Sequence, residues 1–126
     1  MGQILVVDDE ADIRSISTRI LENSGHEVDT AEDGAIALDM IKSKQYDLVL
    51  LDVMMPKVTG LEVVRTLKRD HRTKGIPVII FSALGTGTHM MLDKEDQADG
   101  YLQKPFTIFN FKEMVGQVLR SKQREG

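Results

Sequence analysis

Polar residues able to handle a hard cation or an anion stand where short apolar runs stop. Asp8 and Asp9 follow Ile4-Leu5-Val6-Val7, and Asp52 follows Leu48-Val49-Leu50-Leu51. Ser82 follows Val78-Ile79-Ile80-Phe81, and Lys104 follows Tyr101-Leu102-Gln103. Carboxylates drawn together repel one another unless a cation or a proton intervenes. Three of them, with no Cys or His nearby, suit an oxygen-seeking ion such as Mg²⁺ better than zinc. Lys104 adds a mobile positive charge and Ser82 a hydroxyl donor. Such a set fits an anionic phosphoryl group, whose transfer is catalysed mainly by positioning and charge neutralisation. A carboxylate can itself be the nucleophile. Taken singly, each residue has a plainer role: Asp8 or Asp9 as a helix cap, Asp52 as the start of a turn, Ser82 bonded to backbone, Lys104 in solvent. Their joint placement favours a site.

That placement needs the runs to be parallel strands ending at one edge. The runs ending at Val7, Leu51 and Phe81 are short, apolar and rich in β-branched or leucine side chains, as strands buried on both faces are, and Tyr101-Leu102-Gln103 reads as a fifth short strand. Between them lie helical patterns. Ile13, Ile16, Ile20 and Leu21 share a face and Gly25 stops the helix. Val28-Asp29-Thr30-Ala31 reads as a second strand. Asp33 caps a helix carrying Ile36, Ala37, Leu38 and Ile41, and Thr59 with Glu62 forms a capping box ahead of Leu61, Val64 and Leu67. Ile108, Phe111, Val115, Val118 and Leu119 make the last helix's stripe, with Phe109 expected in the core in preference to an exposed partner contact. From Leu84 to Gln97 the pattern is weak, because Gly85, Thr86, Gly87 and Thr88 are poor helix formers; Met90, Met91 and Leu92 anchor what helix there is.

Strand and helix alternating five times give an α/β fold: a parallel sheet, right-handed crossovers and helices on both faces. The doubly wound order for five strands is 2-1-3-4-5, with its crevice between the first and third strands. Those are the two strands that end in acid.

The 126 residues fit one domain spanning 1–126, with a core of about 3–120 and a short basic tail at 120–126 carrying Arg120, Lys122 and Arg124. A net charge of −4 argues against direct binding to nucleic acid, which needs basic patches. No apolar run approaches the roughly 20 residues of a membrane span. Met1-Gly2-Gln3-Ile4 already leads into the first strand, so no leader is expected. Without cysteine there is no disulfide or thiolate site, and a cytoplasmic location is expected. Met40, Met90 and Met114 fit the core, while His26, His71 and His89 are scattered without ligand spacing and are expected at the surface.

Asp8-Asp9, Asp52 within Leu-Leu-Asp-Val-Met-Met-Pro, Ser82-Ala83 and Tyr101-Leu-Gln-Lys-Pro-Phe together resemble the receiver domains of two-component response regulators, including the chemotaxis regulators. The likeness runs over essentially the whole chain and implies a flavodoxin-like fold. It implies that Asp52 accepts a phosphoryl group from a phosphohistidine of a sensor histidine kinase or phosphotransfer protein. Asp9, Asp52 and the Met54 backbone carbonyl would bind Mg²⁺ directly, with Asp8 acting through a bound water. Lys104 would pair with a phosphoryl oxygen, Ser82 would move inward to bond another, and small Ala83 would leave the site open. Tyr101 would be the switch aromatic, and Lys104-Pro105 a cis peptide. The output would be a protein target or an attached output domain, with the domain a monomer or a weak phosphorylation-dependent dimer. It would be a self-phosphorylating and self-dephosphorylating switch rather than a turnover enzyme.

The chain departs from the family pattern at Gln97, where Gly is frequent, and in its Gly85–Thr88 stretch. Three rivals remain. A receiver-like module that is never phosphorylated typically loses a site residue, and none is lost here. An aspartate-nucleophile phosphatase of the haloacid dehalogenase type wants a second Asp two positions on, where Met54 stands. A nucleotide or flavin binder wants a glycine-rich loop after the first strand. Met54 and Leu84 flank the expected phosphoryl site, and neither can orient an attacking water, so spontaneous dephosphorylation should be slow. Met54→Asn and Leu84→Glu should each speed loss of phosphate, followed by intact mass over time. Unchanged rates would discard the idea.

Overall fold

The computed structural model describes residues 2–53, 59–82 and 96–125. Among them are five strands: β1 Gln3–Val7, β2 Glu27–Ala31, β3 Leu48–Asp52, β4 Val78–Ser82 and β5 Gly100–Gln103. The helices are α1 Ala11–Asn23, α2 Gly34–Ser43, α3 Gly60–Lys68 and α4 Ile108–Glu125. All strand pairings are parallel and the order is β2-β1-β3-β4-β5, as the doubly wound pattern requires. The expected fourth helix between Leu84 and Gln97 lies largely outside the described residues, as do Met54, Ala83, Leu84, His89 and Met90.

Side chains alternate across each strand, and this splits the core in two. Leu5, Val7, Val49, Leu51, Val78 and Ile80 face Ala37 and Ile41 of α2 and Val63, Val64 and Leu67 of α3. Ile4, Val6, Leu48, Leu50, Ile79 and Phe81 face Ile20 and Leu21 of α1 and Phe111, Val115 and Val118 of α4. Helices therefore cover both faces, and β1, β3 and β4 are buried nearly throughout.

Local chemistry sets the element ends. Gly25 takes φ 95°, the left-handed conformation that closes α1 with little steric cost. Asp33 accepts from the Ile36 N–H at 2.9 Å, and Thr59 Oγ1 accepts from the Glu62 N–H at 3.3 Å. Thr107 Oγ1 accepts from the Asn110 N–H at 2.9 Å and so starts α4, which continues through the basic segment to Glu125.

Four apolar residues depart from the expected core. Phe109 is 60 % exposed, and Ile108, Ile16 and Ile36 are exposed as well. The helical turn of about 100° per residue explains most of this. Phe111, Val115 and Val118 define the buried line of α4, and Phe109 lies roughly 160° from Phe111. In α1 the buried stripe is centred on Ser17, Ile20 and Leu21, which turns Ile16 to its rim. In α2 the buried residues Ala37 and Ile41 leave Ile36 on the far side.

Gly60 opens α3 directly behind the end of β3. A Cβ there would collide with the Asp52 carbonyl oxygen and come within 2.8 Å of Val53 Cα. The Gly60 N–H donates to the Val53 carbonyl at 3.1 Å, so the two backbones cannot easily part. Gly60→Ala should destabilise the fold by about 1–3 kcal/mol, the usual cost of overpacking, measured by urea denaturation. A midpoint equal to the parent's would refute this packing argument.

Candidate metal and phosphoryl site

Parallel strands of matched length deliver their ends to one edge. Val7 pairs with Leu51, Asp52 with Phe81, and Ser82 with Gln103. Asp8 and Asp9 leave β1, Asp52 and Ser82 end β3 and β4, and Lys104 leaves β5 at the same side of the sheet. The Lys104 N–H donates to the Ser82 carbonyl at 2.8 Å, fixing the last two strand ends to each other. The Lys104-Pro105 peptide is cis.

Asp8 is the most confined of these groups. Its residue is fully buried, its N–H donates to the Ala31 carbonyl at 3.2 Å, and its Oδ1 accepts from the Glu10 N–H at 2.9 Å. The Arg14 guanidinium donates to its carbonyl at 2.6 Å. The other carboxylate oxygen faces Lys104 Nζ at 2.8 Å. Burial pushes the Asp8 carboxyl above its ordinary range, although the Lys104 ammonium works in the opposite direction.

Lys104 is mostly buried and sits between acids. Its Nζ lies 3.3 Å from Asp52 Oδ2 and 3.7 Å from Glu10 Oε1. Burial alone would lower its pKa, but the Asp8 hydrogen bond and the Asp52 charge outweigh that and raise it. The ammonium therefore keeps its proton in this setting. Its charge also lies 5.0 Å from the centroid of Phe81, a cation–π contact that helps hold the butylammonium stem. Phe81 meets Phe106 edge-on at 6.1 Å, and Phe106 packs on Phe111 at 5.1 Å. The α4 side of the core thus supports the lysine from below.

Asp8, Asp9, Glu10 and Asp52 each offer a carboxylate oxygen within 4.8 Å of the others. Asp9 and Glu10 are exposed, whereas Asp8 and Asp52 are buried. The donor set is all oxygen and open to solvent on one side, which fits a hard divalent ion that keeps waters. Glu10 was not foreseen from the sequence. It caps α1 without a side-chain bond of its own, and its one signal was being the third acid in a row. Ser82 is buried at the same edge. Tyr101 is half-buried on β5; its hydroxyl donates to Gln97 Oε1 and accepts from the Ala98 N–H at 3.1 Å. Burial pushes its phenol above the ordinary range. Met54, Ala83 and Leu84 lie outside the described residues. His26 is half-buried, with Nδ1 accepting the Gly2 N–H at 3.1 Å, and His71 is exposed; neither belongs to the acidic group.

Residues 4–116 match the family described as the response regulator receiver domain. Over 118 residues the chain is 41 % identical to the transcriptional regulatory protein CpxR of Escherichia coli, covering 94 % of this chain and 48 % of CpxR. It is 37 % identical over 124 residues to the DNA-binding dual master transcriptional regulator RpaA of Synechocystis, covering 98 % of this chain and 52 % of RpaA. The chain thus spans about half the length of these curated relatives. Among solved structures, the chemotaxis response regulator CheY4 of Vibrio cholerae superposes with a TM-score of 0.86 at 30 % identity, over 94 % of this chain and 98 % of that one. The response regulator TrrA of Thermotoga maritima, solved in complex with Mg²⁺ and BeF, gives 0.83 at 37 % identity, over 94 % and 99 %.

A cation that binds only the folded state stabilises it by mass action. At about a hundredfold excess over its dissociation constant, Mg²⁺ should add about 2.7 kcal/mol to the unfolding free energy. Urea titrations with and without MgCl₂ measure this, and Asp9→Asn or Asp52→Asn should remove most of the difference. Coincident parent curves would exclude a metal centre here.

Proposed function

The chain belongs to the response regulator receiver domain family, and from that premise we propose that it is the phosphoaccepting switch of a two-component relay, with Asp52 as the acceptor. The observation that carries this is the position of the Asp52 carboxylate. It is nearly buried at the end of β3, faces the Lys104 ammonium at 3.3 Å, and shares its edge with three further acids.

In the proposed reaction an Asp52 carboxylate oxygen attacks the phosphorus of a phosphohistidine. The new bond is O–P, the P–N bond breaks with its electron pair going to nitrogen, and the imidazole, already protonated on its other ring nitrogen, leaves as neutral histidine. The product on this chain is an acyl phosphate, which water later hydrolyses back to carboxylate and phosphate. Asp52, Asp9 and the Met54 carbonyl are the residues that would hold Mg²⁺, with Asp8 reaching it through water. When bound, that ion supplies charge neutralisation and a template for the incoming phosphoryl oxygens. Lys104 would transfer its ammonium from the Asp52 carboxylate to a phosphoryl oxygen. Ser82 would donate its hydroxyl to another, beside the small Ala83, and Tyr101 would follow into the space that Ser82 vacates. Phosphorylation then selects one of two arrangements that already exchange.

The domain acts as a signalling switch, not by turning over a substrate. Upstream, its partner is a histidine kinase or a phosphotransfer protein. Downstream, it is a protein target or an output domain. Two of the relatives are full-length transcriptional or DNA-binding regulators. In that setting nucleic acid belongs to another part of the protein, since this chain carries a net charge of −4. Among the described residues no helix is long and apolar enough to cross a membrane. A weak dimer formed on phosphorylation is compatible with all of this.

Incubation with acetyl phosphate and MgCl₂ should add one phosphoryl group, visible by intact mass. The adduct should vanish in Asp52→Asn and on chelation with EDTA. Continuous release of phosphate with no adduct would replace the switch by a phosphatase.

A further inference from the structure

We infer that Gln97 is a positioning residue that holds the Tyr101 phenol in its unphosphorylated place and thereby sets how readily the switch turns on. This rests on the receiver reading above, and goes beyond it by naming what opposes the change.

The turn that leads into β5 is clamped from α3 by ion pairs. Arg69 meets Asp96 through two hydrogen bonds, at 2.6 and 3.1 Å, and Asp96 is almost completely buried. Lys68 Nζ lies 2.9 Å from Asp99 Oδ2, and the same carboxylate oxygen accepts the Val78 N–H at 2.8 Å. The backbone on which Gln97 and Ala98 sit is therefore fixed to α3 and β4. Within that fixed frame, among the described residues, the Tyr101 hydroxyl donates to Gln97 Oε1 and accepts from the Ala98 N–H. Its side chain packs against the α2–α3 side of the core, as do Ala98 and Ile76.

Inward movement of Tyr101 must break both bonds. The Ala98 N–H would be offered at that position by almost any residue, since it is backbone. The Gln97 amide oxygen is specific to this side chain, and a glycine there could not supply it. Gln97 thus adds a bond to one state only. A group that favours one of two exchanging states shifts their ratio by its differential energy, and an inhibitor or ligand of the other state binds more weakly by the same factor.

Beryllium fluoride with Mg²⁺ serves as the probe, a stand-in for the phosphoryl group on Asp52. Its affinity is measured by calorimetry for the parent, Gln97→Ala, Tyr101→Phe and the double variant. Loss of one hydrogen bond predicts binding roughly two- to tenfold tighter in Gln97→Ala. In the Tyr101→Phe background the same Gln97→Ala change should leave affinity unchanged, because the hydroxyl that it holds is gone. That coupling is a readout that a merely structural role would not produce. An unaltered affinity in Gln97→Ala, or an equal gain with and without the Tyr101 hydroxyl, overturns the latch while leaving the receiver reading intact. A parent that fails to bind the probe at all overturns both.

Discussion

Crowding of like charge at one sheet edge is the constraint around which this domain is built. Four carboxylates offer oxygens within 4.8 Å of one another, and at such spacing each ionised pair costs on the order of 3–4 kcal/mol for an effective dielectric of about 20. Among the described residues Lys104 is the cation placed between Asp8 and Asp52. One ammonium cannot balance four acids. The arrangement is therefore left with an affinity for further positive charge, most of which a divalent ion would offset. The raised pKa of Asp8 comes first from its burial, with the neighbouring Asp52 charge adding in the same direction and Lys104 opposing both.

Holding such a cluster together requires a frame that will not relax away from it. The central strands supply one, since β1, β3 and β4 are apolar on both faces and locked in register on either side. A slip by one residue would exchange the side chains presented to the two helix layers and is strongly disfavoured. The β3–α3 approach adds a second restraint, because only glycine at position 60 lets α3 begin against the Asp52 carbonyl. Stability stored in the core is thus used to keep repelling groups close, and the exposed side of the cluster stays available to ligands.

The strand ends were legible because burial on both faces writes itself as continuous apolar runs, and each run stops at the residue that matters. Asp8, Asp52 and Ser82 could be placed at one edge from this, and the doubly wound order then set the two acid-ending strands side by side. Other features were hidden for physical reasons. Helical periodicity locates an apolar stripe but not its width, so Phe109, Ile16 and Ile36 read as core while Ser17 took the buried position in α1. Glu10 carried no signal beyond its place after two other acids, and its side chain makes no capping bond. The pairs Arg69–Asp96 and Lys68–Asp99 join residues about thirty apart and exist only once α3 and β5 are packed on the same sheet.

Strand β5 connects the two halves of the proposed switch mechanically. Lys104 stands three residues beyond Tyr101, just past the end of the same strand, a span of about 10 Å when extended. Between them Ser82 pairs with Gln103, and the Ser82 carbonyl takes the Lys104 N–H. In the proposed switch a pull on Lys104 or Ser82 would act along this short, hydrogen-bonded path. At the opposite end of β5 the ion pairs to α3 hold the preceding turn still. With one end anchored and the other loaded, rotation of the Tyr101 side chain is the response proposed for this strand. The chemistry at the acidic edge and the conformation at Tyr101 can then be coupled without any rearrangement of the sheet.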